Sequence, residues 1–220
     1  TGKCLNQNYL DLLAMPVSAK EIKIAMFSIC GRKAPGPDGY SNQFFKDAWP
    51  IIGTDIIKVI QNVFNSGKLL KQCNNVIITL IPKIDMPTRV THFRPIACCN
   101  VIYKCISKVI YARIGGILSD IISPSQGAFL RERDIVDNIL ICQDLIKLYN
   151  KKNCSPRCLM KMDLHKAYDS VEWKFVEELP RAVGFPEHIV CLIMQCVNST
   201  SYSLYLNGEV FGFFKGNRGL

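Results

Sequence analysis

Histidine is scarce in this chain, acid is outnumbered, and no apolar run is long. The three histidines, His92, His165 and His188, lie scattered through 220 residues and suggest no histidine-built metal cluster. The succession His165, Asp169, Ser170 is too close in sequence to build a hydrolase triad. Eighteen acidic residues against 27 basic ones leave a net charge of +9, a balance that suggests a polyanionic partner. No stretch approaches the roughly 20 apolar residues of a membrane span, and Thr1–Leu10 is too polar for a secretory leader, so no membrane contact is expected. Cysteine is plentiful at eleven residues, yet no Cys-x-x-Cys pair occurs, which removes a zinc framework. The odd count and the apolar surroundings of most thiols point to reduced cysteines and an intracellular setting. There is no internal repeat and no low-complexity linker. Thr1 in place of an initiator Met, and a stop at Gly219-Leu220, suggest a piece of a longer protein.

What is present is ample for a packed core. Nearly half the residues are hydrophobic and the mean hydropathy is +0.13, enough for one core or two small ones. Ser18 and Glu21 form a capping box, Val17 and Ile22 a staple, and Gly31 should end the first clear helix. Two helical patterns follow. The stronger carries Ile52, Ile56, Ile60, Val63 and Phe64 and closes at Gly67. Val76–Ile81 reads as a buried strand, with a second strand returning at Phe93. Asn100 starts a helix lined by Ile102, Ile106, Ile110, Ile114 and Ile117, and another from Ile135 to Leu148 should pack through Ile135, Ile139, Leu140 and Ile146. Pro186 opens a late helix. Tyr202–Leu206 and Val210–Phe214, joined by Asn207-Gly208, form a hairpin. Basic charge is concentrated between Ile81 and Arg113, where Lys83, Arg89, Arg94, Lys104, Lys108 and Arg113 face only Asp85.

The most informative stretch is Lys161-Met162-Asp163-Leu164-His165-Lys166-Ala167-Tyr168-Asp169. Cys158, Met160 and Met162 alternate with Leu159, Lys161 and Asp163, a period of two that predicts a strand ending in an acid. Val171, Phe175 and Leu179 then recur at steps of four, a helix that Asp169 can cap with Glu172 at its third position. A carboxylate at a strand tip, before a tight turn into a helix, is well held to grip a hard cation such as magnesium. Taken alone, Asp163 reads better as a surface carboxylate at a strand end; the flanking block tips it to a metal ligand.

This stretch resembles the first catalytic block of reverse transcriptases, in the form used by non-LTR (LINE-type) retrotransposons and particularly their plant members. Lys33-Ala34-Pro35-Gly36-Pro37-Asp38-Gly39 is similar to the block upstream of that family's fingers. Leu80-Ile81-Pro82-Lys83 with Phe93-Arg94-Pro95-Ile96-Ala97 looks like its fingers hairpin. Ser125-Gln126-Gly127-Ala128-Phe129 with Arg133 matches the next block, and Asn207-Gly208 followed by Arg218-Gly219-Leu220 the approach to the one after. The match runs from about Val17 to the end, and agreement of several blocks in order is far more specific than any one.

The resemblance implies an α+β fold, helix-rich with short antiparallel strands: an upstream segment and right-hand polymerase fingers over 1–155, and a partial palm over 156–220. It implies RNA-directed DNA polymerase chemistry, in which two magnesium ions clamp the attacking 3′-hydroxyl and the leaving oxygen. RNA template, DNA primer, dNTPs and the remainder of a retrotransposon polyprotein are the implied partners, and nucleus and cytoplasm the implied location. Asp163 becomes a catalytic metal ligand, with the Leu164 carbonyl as a further one. Tyr168 becomes the ring under the nucleotide sugar that excludes a 2′-hydroxyl, and Lys83 and Arg94 hold the triphosphate. Gly36 and Gly39 would approach a template phosphate, although a tight turn explains them as well. Gln126, Arg133 and Arg218 would contact nucleic acid; Phe129, in the same track, reads as a core residue. Lys166 is either a phosphate contact or an exposed lysine.

Three features depart from the family pattern. Glu132 stands where a small residue usually precedes the arginine, Pro180 interrupts a predicted helix at about 3 kcal/mol if interior, and the paired aspartates of the Ala-Asp-Asp block are absent from the 220 residues. The chain alone is therefore expected to be inactive. The rival reading is a non-catalytic nucleic-acid-binding remnant of a decayed element.

Overall fold

A computed structural model describes residues 4–130, 133–147, 149, 158, 160–164 and 166–219. Glu132, Leu148, Leu159, His165 and Leu220, which figure in the sequence analysis, lie outside them. The element order is α1 (Gln7–Ala14), α2 (Ala19–Ser28), α3 (Asn42–Asp47), α4 (Trp49–Ser66), β1 (Asn75–Pro82), β2 (Phe93–Cys99), α5 (Val101–Ile121), α6 (Ile135–Lys147), α7 (Ala167–Ser170), α8 (Trp173–Val183), α9 (Glu187–Asn198), β3 (Ser201–Leu206) and β4 (Glu209–Lys215).

Local chemistry sets most of these boundaries as expected. The Ser18 hydroxyl accepts from the Glu21 backbone while the Glu21 carboxylate accepts from the Ser18 amide, a complete capping box at the start of α2. α2 ends at Ser28, earlier than Gly31, because the buried Asn42 amide donates to the Met26 and Ile29 carbonyls and closes its last turn. Gly67 ends α4 with φ +66°, donating to Val63. Pro180 lies inside α8, and Gly184 ends that helix about one turn later with φ +96°.

α5 is the hub of the core. It packs against α1, α2, α4 and α9 through Val101, Cys105, Ile106, Val109 and Ile117, which meet Leu13, Ile22, Met26, Ile60, Ile189 and Leu192 in one buried cluster. The expected isoleucine stripe is thus wider than drawn and includes a charge. Arg113 is buried and donates to Glu21 and to the Met15 and Pro16 carbonyls.

The sheet has the order β2-β1-β3-β4. β1 with β2 and β3 with β4 are antiparallel, as expected, but the middle pair β1–β3 is parallel, so the expectation of antiparallel strands alone is corrected. Side chains pin this parallel register. Asn74, buried just before β1, donates to the Cys196 carbonyl and the Ser199 hydroxyl at the end of α9, and the Ser201 hydroxyl bonds the Asn75 side chain. Both strands therefore leave the helical layer at the same level. In the β3–β4 turn, Asn207 and Gly208 have φ +50° and +91°, the left-handed pair a two-residue hairpin loop requires.

Two expected elements differ. Residues 160–164 carry no strand: none of the three ladders offers them a partner, and an unpaired extended segment has no hydrogen bonds to hold it. The helix expected from Asp169 is split into α7 and α8, because the Val171 carbonyl accepts from Gly219 at 2.8 Å and the backbone turns extended there. Asp169 therefore lies within α7, and Glu172 takes the cap position of α8. The apolar residues of α6, including Ile135, Ile139, Leu140 and Ile146, and those of α8, Phe175 and Leu179, are exposed; no described element covers them.

Candidate nucleotide and metal site

Asp163 lies on an exposed, irregular segment beside Met162 and Leu164, which are 80% and 77% exposed. The chain then enters α7 through Lys166, whose φ of +50° is left-handed. Tyr168 follows on α7, and its ring meets Phe129 edge to face, with centroids 6.1 Å apart and planes at 87°. Phe129 is no core residue: it is 83% exposed and itself left-handed at φ +65°.

The C-terminal block folds back onto this motif. Gly219 donates to Val171, and the Trp173 indole donates to the Gly219 carbonyl at 2.8 Å. Position 219 favours glycine, because φ is +86° and a Cβ would lie 3.1 Å from the Asp169 backbone. An open cavity of about 360 Å³ results, lined by Asp169 and Arg218, by Pro95 and Ala97 of β2, and by Tyr202 and Phe214 of the second hairpin. Four separate sequence blocks thus meet over one sheet face. The indole of Trp173 was the overlooked signal, since a tryptophan N–H usually finds an acceptor when covered.

The remaining residues are placed as follows. Arg94 is exposed on β2 opposite Ile81, and the Lys83 ammonium, at the base of the same hairpin, donates to the Thr91 carbonyl at 3.1 Å. Gln126 and Arg133 lie in the loop after α5. The Arg133 guanidinium donates to four carbonyls, those of Ser119, Ile122, Ser123 and Gln126, at 2.6 to 3.1 Å, which binds the loop to the end of α5. Gly36 packs where a Cβ would fall 2.2 to 2.6 Å from Asn100 and Cys99, whereas Gly39, at φ +75°, faces open space. Asn100 holds that turn through the Asp38 amide, and Lys104 donates to the Ala34 carbonyl. Much of the basic stretch is therefore engaged internally: Lys83, Lys104 and Arg113 each hold protein oxygens.

A hard cation suits the oxygen of Asp163, but that carboxylate and one neighbouring carbonyl fall short of the about six oxygens magnesium takes. Among the described residues no group of three His, Cys, Asp or Glu gathers as a metal site. The donors of these residues do not complete a two-ion centre.

The sequence is similar to known proteins. The chain is 27% identical over 180 residues to the "Transposon TX1 uncharacterized 149 kDa protein" of Xenopus laevis, covering 82% of this chain and 14% of that protein. It is 24% identical over 210 residues to the "Retrovirus-related Pol polyprotein from type-2 retrotransposable element R2DM" of Drosophila melanogaster, covering 95% of this chain and 19% of that protein. The chain thus spans less than a fifth of either relative. The family model described as "Reverse transcriptase (RNA-dependent DNA polymerase)" matches residues 81–220, the portion holding β2, α5, the Asp163–Trp173 motif and the second hairpin, and the chain belongs to that family.

Proposed function

We propose that this chain is the upstream segment, fingers and first part of the palm of an RNA-directed DNA polymerase encoded by a non-LTR retrotransposon, of the kind plants carry. The observation that carries the reading is the cavity where Asp169, Arg218 and Pro95 converge, because those residues come from three blocks that a polymerase needs side by side. RNA template, DNA primer and dNTPs are its substrates, and the rest of a polyprotein its companion.

In this reading Asp163 supplies the first carboxylate for magnesium, with the Leu164 carbonyl beside it. The chain's other side chains position the substrate. Arg94 offers a planar fork of donors to the triphosphate and Lys83 a mobile ammonium at the hairpin base. Tyr168 lies under the sugar, where a 2′-hydroxyl would collide with its ring. Gln126, Arg133, Arg218 and the Gly36–Gly39 turn line the nucleic-acid track, Arg133 through the loop it anchors and Gly39 through its open side.

These 220 residues contain no Asp-Asp pair, so synthesis is expected only from a chain that carries one. In such a chain, Asp163→Ala should abolish primer extension on RNA with an unchanged melting temperature; retained synthesis removes Asp163 from the site. Pro180 inside α8 favours the second reading, a decayed nucleic-acid-binding remnant. A reading frame that stops before an Ala-Asp-Asp block would support it.

A further inference from the structure

We infer that Phe129 is a positioning residue for sugar selection, acting by limiting where the Tyr168 ring can lie. This rests on the reading of Tyr168 as the sugar gate.

The argument starts from a cost. A left-handed backbone is disfavoured for a bulky residue, and Phe129 gains little burial in return, being 83% exposed. Strain of this kind persists only where its surroundings impose it, and it gathers at functional sites. Here the surroundings are explicit. Arg133 holds the loop to the end of α5 through four carbonyls, the last of them that of Gln126. Gly127 lies so close to α6 that a Cβ would sit 2.6 Å from the Asn138 amide nitrogen, and the Gln126 amide donates to the Ala128 carbonyl. The backbone is pinned immediately before Phe129.

The ring it presents meets one aromatic partner, Tyr168, in the edge-to-face geometry aromatic pairs prefer. Tyr168 in turn follows Lys166, also left-handed. Among the described residues three non-glycines have positive φ. Asn207 is accounted for by its hairpin turn, and the other two bracket this contact. A tyrosine ring moves about two side-chain torsions; a neighbour against it removes part of that freedom. Without the Phe129 ring the gate keeps its chemistry but can swing away from a 2′-hydroxyl.

The test compares incorporation of a dNTP and its matching ribonucleotide by the full polymerase that contains this chain. Phe129→Leu should lower the ratio of the two kcat/KM values by about three- to tenfold, the fold-change an aromatic pair is worth. Phe129→Tyr, which keeps an aromatic ring, should restore it. Tyr168→Val should lower the ratio further, and adding Phe129→Leu to it should change nothing more, as coupled residues require. Phe129→Leu lowering both substrates equally, with the ratio held, would overturn the inference while leaving the gate intact. An unchanged ratio in Tyr168→Val would instead remove the gate itself, and the inference with it.

Discussion

Arg113 of α5 forks onto the carboxylate of Glu21 in α2, Nε to Oε1 at 2.8 Å and Nη2 to Oε2 at 3.2 Å. The same carboxylate closes the capping box with Ser18, so one acid ties a helix start to the central helix. Burial opposes ionisation of Glu21, but the Arg113 guanidinium and the Ser18 donors outweigh it and hold the carboxyl at about 2, below the ordinary 4.5. A carboxyl whose folded value is depressed contributes stability that is full above the unfolded value and lost as pH falls through the folded one. Stability should therefore decline between about pH 4.5 and 2, and Glu21→Gln should flatten that part of the curve in urea titrations across pH. Arg113→Ala also takes the donor from the Met15 and Pro16 carbonyls, and should cost about 3 kcal/mol at neutral pH.

Gly36 and Gly39 should respond differently to the same change. At Gly36 an added methyl meets the Asn100 and Cys99 backbone, which cannot step aside without moving the start of α5. Gly36→Ala is expected to destabilise by about 2 to 3 kcal/mol. Gly39→Ala meets only backbone strain and should cost about 1 kcal/mol. Equal losses in denaturant midpoints would contradict the packing argument.

Arg133→Ala should open the end of α5 locally. Hydrogen exchange at residues 119–127 would quicken, because four carbonyls lose their shared donor. If the guanidinium also neutralises a phosphate, the slope of log affinity for nucleic acid against log salt should fall by about 1; a role confined to the loop leaves that slope unchanged.

Thiol reactivity should divide by burial. Cys105 and Cys196 are buried, and desolvation pushes each thiol up to about 12, with Lys108 partly offsetting the rise at Cys105. Cys30 and Cys142 are exposed. Maleimide labelling followed by peptide mapping should modify Cys30 and Cys142 in the native protein, and Cys105 and Cys196 only after denaturation.

What the sequence made legible was local. The Ser18 box, the Gly67 stop, the β-branched run of β1 and the Asn207-Gly208 hairpin are each written in a few adjacent residues, and each forms. What it hid depends on partners far away. Asp169 looked like a cap because nothing nearby reveals that Gly219 takes the Val171 carbonyl. Phe129 looked like core because hydrophobicity does not report a left-handed backbone. The alternation ending at Asp163 is a sound strand signal, but a strand forms only against a ladder. Nor did any pattern disclose that Asn74 would fix the parallel register, since one asparagine before a strand carries no periodicity. At the site, the aromatic, basic and acidic types were readable, and their meeting through Trp173 and Gly219 was not.

The parallel pairing of β1 with β3 has a consequence for synthesis on the ribosome. Asn75 and Ser201 face each other across 126 residues of chain, so the first hairpin emerges with one edge bare and waits until β3 is made before that edge is covered. Nascent chains halted before β3 should therefore expose a sticky strand rim to chaperones, and closure of the cavity between Asp169, Arg218 and Pro95 should be among the last events in the folding of these residues.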